Sequence, residues 1–166
     1  STDLDVYSVS VAAAGTLTLT FDVPTNSSYS DYFQLGLYDS AGTLQSLFAT
    51  GADKTYTVGA AAAGTYYVGV SADYYYNSGQ YSLTVAHTAG SANSFESEAN
   101  DTMATADALT LGSAITGQIQ SISDKDYFSV QTDAASVITV NFDAPTNSSY
   151  SDYFQVTVYD ATGQAL

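Results

Sequence analysis

The sequence predicts an all-β protein built from antiparallel sheets packed as a sandwich. Three observations predict it. Apolar and polar residues alternate with period two through most of the chain, which sends one set of side chains to a core and the other to solvent. Turn-forming residues break the alternation at short intervals, at Ala14-Gly15, Pro24-Thr25-Asn26, Asp39 to Gly42, Ala63-Gly64 and Asn77-Ser78-Gly79. Finally, the segment PTNSSYSDYFQ occurs at Pro24 to Gln34 and again at Pro145 to Gln155, an offset of 121 positions. A period of that length is a whole small domain rather than one turn of a solenoid, so the sandwich is expected in tandem repeats of about 121 residues.

In chain order, Leu17, Leu19 and Phe21 share one face of the first clear strand, with Thr16, Thr18 and Thr20 opposite. Phe33, Leu35 and Leu37 alternate with Tyr32, Gln34, Gly36 and Tyr38. Tyr66, Val68 and Val70 follow Gly64, and Tyr81, Leu83 and Val85 follow Gly79. The stretch from His87 to Ser94 is small and polar and reads as a linker. Asp101 to Leu109 has helix-compatible alanines and suggests a short helix, followed by a strand around Ile115 to Ile119. Ile138, Val140 and Phe142 then repeat the code of Leu17, Leu19 and Phe21.

The offset extends beyond the identical segment. Asp3 and Asp5 fall on Asp124 and Asp126, and Tyr38-Asp39 on Tyr159-Asp160. The expected organisation is a first sandwich copy at 1–88, a linker at 89–95 and a second copy at 96–166. The first lacks its N-terminal segment and the second its C-terminal strands. Strands completing each copy are then expected from further chain or from a neighbouring molecule.

Charge excludes several function classes. Seventeen acidic residues face two lysines, Lys54 and Lys125, and no arginine, giving a net charge of −15. Such a surface repels nucleic acid and anionic lipid, so no nucleic-acid partner is expected. No run of about 18 apolar residues exists, so no membrane insertion is expected either. Without cysteine there are no disulfides, thiol nucleophiles or cysteine-bound metals. A surface rich in Ser, Thr, Asn, Gly and Tyr with almost no Lys points to a secreted or cell-surface protein. His87 is the sole histidine, so no Ser-His-Asp arrangement forms around a partner elsewhere. No catalytic residue and no enzyme are expected.

The residues that carry chemistry are acids. In an extended FESEAND segment, Glu96, Glu98 and Asn100 point to one side and Asp101 sits at the following turn; Asp124 and Asp126 share a face at a strand start. Hard cations such as Ca²⁺ take about six to eight oxygen ligands, which carboxylates and a side-chain amide supply. The competing reading is that these are solvated acids at strand ends. Fifteen tyrosines offer flat contact area at small entropic cost, either between copies or against carbohydrate or collagen-like ligands; sheet propensity alone also favours tyrosine. Asn26, Asn100 and Asn147 stand in N-x-S/T sequons.

The succession ESEANDTMATADALTLGSAITGQI, SDKDYFSV, a strand ending LYD or VYD, AGTYYVGV and SGQYSLTV resembles the bacterial pre-peptidase C-terminal domain. The resemblance implies a jelly-roll-like antiparallel β-sandwich of about eight strands, appended to secreted proteases and other exported proteins. It also implies a calcium site, since the related collagen-binding domains of clostridial collagenases bind calcium through an acidic segment at the domain start. Carried onto this sequence, the matching positions are Glu96, Glu98, Asn100, Asp101, Asp124 and Asp126, with Asp3 and Asp5 as the partial site of the first copy. The expected function is structural, a subunit of an extracellular filament, stalk or adhesin made of calcium-stabilised sandwiches that contact copies of themselves head to tail. The alternative is a non-catalytic substrate-binding accessory domain of a secreted hydrolase.

Overall fold

The computed structural model describes residues 3–24, 32–72, 79–90, 94–144 and 154–166. Seven strands follow one another: β1 (Leu4–Val11), β2 (Gly15–Asp22), β3 (Phe33–Tyr38), β4 (Leu44–Thr50), β5 (Lys54–Ala60), β6 (Gly64–Ala72) and β7 (Ser82–Ala89). One sheet has the order β1-β6-β3-β4 and the other β5-β2-β7. Every pairing in both is antiparallel. The all-β sandwich read from the alternation is the fold.

Alternation decides what lies between the sheets. Leu17, Leu19 and Phe21 of β2, Leu35 and Leu37 of β3 and Val68 of β6 are all fully buried in one core cluster. The Phe21 ring meets Phe33 edge-on at 5.2 Å and Tyr81 at 5.2 Å, which welds the end of β2 to β3 and to the start of β7. Each buried aliphatic or aromatic side chain contributes about 1.5–3 kcal/mol of transfer free energy. Tyr32 does not join an outer face with Tyr38, as the alternation suggested; it packs against the core, because it lies just before β3 begins. Tyr38 does lie outward, over Gly36, where a Cβ atom would fall 2.8 Å from its ring. The triplet Tyr74-Tyr75-Tyr76 and Tyr153 lie outside the described residues.

Turn chemistry closes the β3–β4 hairpin. Asp39 Oδ1 accepts hydrogen bonds from the Ala41 and Thr43 amides, each at 2.8 Å, and Gly42 takes φ +82°, a left-handed conformation open to glycine at no steric cost. Gly15 answers a different need. A Cβ atom at that position would sit 2.1 Å from the Thr88 carbonyl oxygen, so β7 closes on bare backbone. Gly15→Ala is expected to destabilise the sandwich by more than about 2 kcal/mol through forced strand displacement, read as a shifted denaturation midpoint.

Beyond β7 the sequence expectations need correction. Asp101 to Leu109 forms no helix; Thr102–Thr105 is a turn, with the Thr105 amide donating to the Thr102 carbonyl at 3.0 Å. The chain then enters β8 (Asp107–Ala108), which pairs in parallel with β9 (Phe128–Ser129). Polar Thr102 and Thr105 bond each other through their hydroxyls, offering the backbone an alternative to helix. Ile115 to Ile119 is not a regular strand either. It meets Phe95 through one bridge at Thr116, with Glu96 N donating to Thr116 O and Thr116 N to Ser94 O.

Contacts group the chain into two compact units, Ser1–Gln131 and Thr132–Leu166. Repeat arithmetic gives 96–131 to the second copy, yet these residues share a unit with β1 to β7. Within Thr132–Leu166, Asp160 repeats the Asp39 turn, its Oδ1 accepting from Thr162 N at 2.8 Å and Gln164 N at 2.9 Å. Ile138, Val140 and Phe142 form no strand, and Val137 is 93% exposed. Their counterparts in β2 are flanked by β5 and β7.

Candidate metal centre

Four short stretches of the first unit meet at the edge of the sandwich: Phe95–Asp101, Asp107, Gly117–Gln120 and Asp124–Tyr127. Phe95 lies against bare backbone, since a Cβ atom on Gly59 of β5 would be 2.7 Å from its own Cβ. Two glutamines then fasten the segment to β4. Gln45 donates to the Glu98 carbonyl at 2.9 Å and accepts from the Glu98 amide at 3.3 Å. Gln118 donates to the Leu47 carbonyl at 2.8 Å and accepts from the Leu47 amide at 3.3 Å. β4 is a sheet edge, so its outward backbone groups need partners; Gln118 supplies them at Leu47, while Gln45 reaches out from β4 itself to the Glu98 backbone.

With the backbone so held, the acids converge. One carboxylate oxygen each from Glu96, Glu98 and Asp126 lies within 4.8 Å of the other two. That spacing suits a cation contacting each oxygen at about 2.3–2.6 Å. Asn100, fully buried, stands beside them, its Nδ2 donating to Glu96 Oε2 at 3.4 Å and to Asp107 Oδ2 at 3.3 Å. This orientation leaves Asn100 Oδ1 buried without a hydrogen-bond partner, and Asp126 Oδ1 is in the same condition. A buried oxygen left unpaired costs about 1–3 kcal/mol. The Asn100 oxygen and the unpaired Asp126 oxygen are thus left to serve the cluster, and the all-oxygen donor set fits a hard metal ion.

Hydrogen bonds hold the acids in place. Glu96 Oε1 accepts from the Gln118 amide. Glu98 Oε2 accepts from the Asn100 amide at 3.3 Å, and its Oε1 from Gln120 Nε2 at 2.8 Å. Asp124 and Asp101 lie at the rim. Asp124 Oδ2 accepts from the Gln120 amide at 2.5 Å and Asp101 Oδ1 from the Lys125 amide at 3.4 Å.

Electrostatics record the crowding. Burial pushes the Glu96 carboxyl up to about 8; the Gln118 amide opposes this and the neighbouring Asp126 and Glu98 reinforce it. Burial likewise raises Glu98 to about 6 against the Asn100 amide, with Asp124, Asp126 and Asp101 adding to the rise. Asp126 is raised by burial and by Asp124, Asp101 and Asp107, but lowered by its hydrogen bond with Glu96. That bond acts oppositely on its two partners, so the two carboxyls take up a proton as a coupled pair. A divalent cation would replace that proton.

Of the eight sequence-derived candidates, the structure brings Glu96, Glu98 and Asp126 together, sets Asn100 among them and leaves Asp101 and Asp124 at the rim. Asp3 is exposed, and Asp5 Oδ2 accepts from the Tyr81 hydroxyl at 2.6 Å, with Tyr7 hydroxyl 2.7 Å from that of Tyr81. Sequence reasoning missed Asp107, which accepts from Ser97 N at 2.7 Å and Ser97 Oγ at 2.8 Å and so orients the Asn100 amide. It also missed Gln45, Gln118 and Gln120. The alternation of Gln118 with Gln120 after Gly117 was the available signal. The Asn100 sequon is closed to glycosylation in the folded protein, its side chain being wholly buried.

Gly117 makes the convergence possible. A Cβ atom there would fall 2.7 Å from Glu96 Oε2 and 3.2 Å from Asp126 Oδ2. Gly117→Ala is therefore expected to weaken divalent-cation binding at least tenfold, measured by calorimetric titration, while the denaturation of β1 to β7 stays within about 0.5 kcal/mol of the parent.

No curated protein and no solved structure matches this chain. No helix among the described residues is long and apolar enough to cross a membrane. Residues 3–72, which run from the start of β1 to the end of β6 and end short of the carboxylate cluster, match the family model of the bacterial pre-peptidase C-terminal domain, so the sandwich is similar to that family of domains.

Proposed function

We propose that this protein is a non-catalytic structural subunit of an extracellular filament, stalk or adhesin, in which tandem β-sandwiches are stabilised by calcium at the acidic segment between them. The observation that carries this reading is the cluster of Glu96, Glu98 and Asp126 with the orphaned oxygens of Asn100 and Asp126. Glu96, Glu98, Asp126 and the Asn100 oxygen would hold the ion, with Asp124 and Asp101 near enough to add charge. Calcium accepts an irregular set of six to eight oxygens, whereas magnesium demands a near-ideal octahedron, and a set of three carboxylates with one amide oxygen suits the former. The ion would neutralise part of the net charge of −15 that otherwise sets copies against each other. Copies of the same chain are the proposed partners, meeting head to tail, a heterologous contact that propagates into a fibre.

Electron microscopy of the purified protein with calcium and then with a chelator tests this reading. Regular polymers that loosen or fragment on chelation support it. Dispersed particles in both conditions overturn it and favour the second reading, an accessory domain that holds a secreted hydrolase on carbohydrate or extracellular-matrix substrate. That second reading draws on the family match at residues 3–72, a domain type generally accessory in secreted proteins. It requires a monomer with a saturable ligand.

A further inference from the structure

We infer that Tyr7 and Tyr81 form an oxidative cross-linking site, at which a one-electron oxidant, with Asp5 taking up the phenolic proton, joins the two rings as dityrosine and staples β1 to the start of β7. Neither a cation nor a second copy of the chain is needed for it.

Composition directs oxidation to tyrosine. Fifteen tyrosines stand in a chain with no cysteine and no tryptophan, the other side chains from which an oxidant draws a single electron most readily. Among the described residues the fold then brings one pair together beside a base. β1 is the edge of one sheet and β7 the edge of the other, and between them the Tyr81 hydroxyl donates to Asp5 Oδ2 at 2.6 Å, the length of a charge-assisted bond. The Tyr7 hydroxyl lies 2.7 Å from that of Tyr81. A phenol has one proton to give, and Tyr81 gives its own to Asp5, so Tyr7 donates to Tyr81 and the three groups form a chain that ends on the carboxylate. The two rings meet edge-on with centroids 6.4 Å apart. Tyr81 is held from behind by Phe21 at 5.2 Å and Phe33 at 6.1 Å, whereas Tyr7 is 43% exposed and open to an oxidant. Tyr56 and Tyr66 donate instead to the Ala49 and Ala62 carbonyls, at 3.4 Å and 3.2 Å, which do not hold a proton at neutral pH.

A phenol that loses an electron must also lose its proton to become a neutral radical. Burial holds the Tyr81 phenol well above its ordinary value, and Asp5 and Tyr7 add to the rise, so the proton does not leave ahead of the electron as it would from a phenolate. Asp5 supplies the exit: the proton crosses to Oδ2 as the electron passes to the oxidant, and exposed Asp5 releases it to water. Exchange of a hydrogen atom between the two hydroxyls places the radical on either ring. Loss of a second electron, with the remaining phenolic proton leaving by the same route, gives two phenoxyl rings in contact. A bond forms between one ortho carbon of each, and the hydrogens on those carbons move to the phenoxyl oxygens to restore both hydroxyls. The pair gives up two electrons and two protons in all, and hydrogen peroxide acting through a haem peroxidase takes them up as two molecules of water. The new bond would span 74 positions of sequence and restrict the unfolded chain as a disulfide does, in a protein without cysteine.

Peroxidase and hydrogen peroxide added to the dilute parent protein test the site. The expected product is a monomer lighter by two hydrogens, with blue dityrosine emission free of any tryptophan background, in which peptide mapping by mass spectrometry places the first bond formed between Tyr7 and Tyr81. Asp5→Asn keeps a hydrogen-bond acceptor but no base, and is expected to slow this bond at least tenfold while links at other tyrosines form at the parent rate; Tyr7→Phe is expected to abolish it. The inference is overturned if the first bonds map to other tyrosines or join separate molecules, if no dityrosine forms under conditions that couple free tyrosine, or if folded Asp5→Asn protein forms the bond as fast as the parent. The mapping of the parent decides the matter even if a variant does not fold.

Discussion

Phe21→Ala is expected to cost about 3–5 kcal/mol in the same chain where Phe142→Ala costs less than about 1 kcal/mol. The two phenylalanines are the same residue of the repeat, 121 positions apart. Phe21 is fully buried between the sheets with rings on two sides, Phe33 and Tyr81, each centred 5.2 Å away. Truncation there leaves a cavity that neighbours in three strands cannot all close, and the cost is the lost transfer energy plus the cavity term. Phe142 is 57% exposed and among the described residues meets the Phe154 ring at 5.2 Å, so its removal forfeits a partly screened contact. Urea denaturation followed by tyrosine fluorescence measures both. Equal losses for the two variants would show that the second copy is packed as firmly as the first.

Cation-free protein is expected to lose stability as pH rises from about 4.5 to about 8, the reverse of the usual behaviour of paired carboxylates. The unfolded Glu96 titrates near 4.5 and the folded one near 8, with Glu98 near 6. Between those values the folded state binds more protons than the unfolded state, so raising the pH favours unfolding. The stabilisation is complete below about 4.5 and gone above about 8. Discounted for solvent screening and for the proton shared with Asp126, the loss is on the order of 1–3 kcal/mol. Calcium bound as proposed is expected to invert the profile. At pH 8 it finds the cluster deprotonated, and at a concentration 100 times its dissociation constant it stabilises by about 2.7 kcal/mol; at pH 5 protons compete with it and the gain shrinks. Glu96→Gln separates the two effects, since it removes a buried charge and a ligand together. That variant is expected to melt higher than the parent at pH 8 without calcium, and to gain little when calcium is added. Scanning calorimetry at pH 5 and pH 8, with calcium and with chelator, gives all eight values. A parent protein whose melting temperature rises with pH in chelator would refute the charge crowding.

The parts legible in the sequence are those whose signal is local. β2 could be read because Leu17, Leu19 and Phe21 alternate with threonines and every one of the three is buried; a strand between two neighbours has no other way to satisfy its pattern. Glu96, Glu98 and Asn100 could be read because an extended chain puts alternate residues on one side. Asp107 and Gln45 could not, since their roles arise from segments 10 and 53 residues away from their partners Ser97 and Glu98, and a lone Gln or Asp carries no mark of that meeting. Asp5 misled because it aligns with Asp126 in the repeat yet faces Tyr81, a residue whose counterpart falls outside the sequence. The helix at Asp101 to Leu109 failed because alanine content speaks for helix only when the neighbouring threonines do not bond one another.

The narrow gap at Gly15 bears on how the two repeated stretches of this polypeptide avoid exchanging strands while they fold. Tandem domains of high mutual identity are prone to such misassembly. The position equivalent to Gly15 is Ser136, whose side chain would meet the Thr88 carbonyl where a Cβ atom has only 2.1 Å. The second segment therefore cannot settle beside β7 in the register of β2, and the bare backbone of Gly15 marks β2 as the strand that β7 accepts.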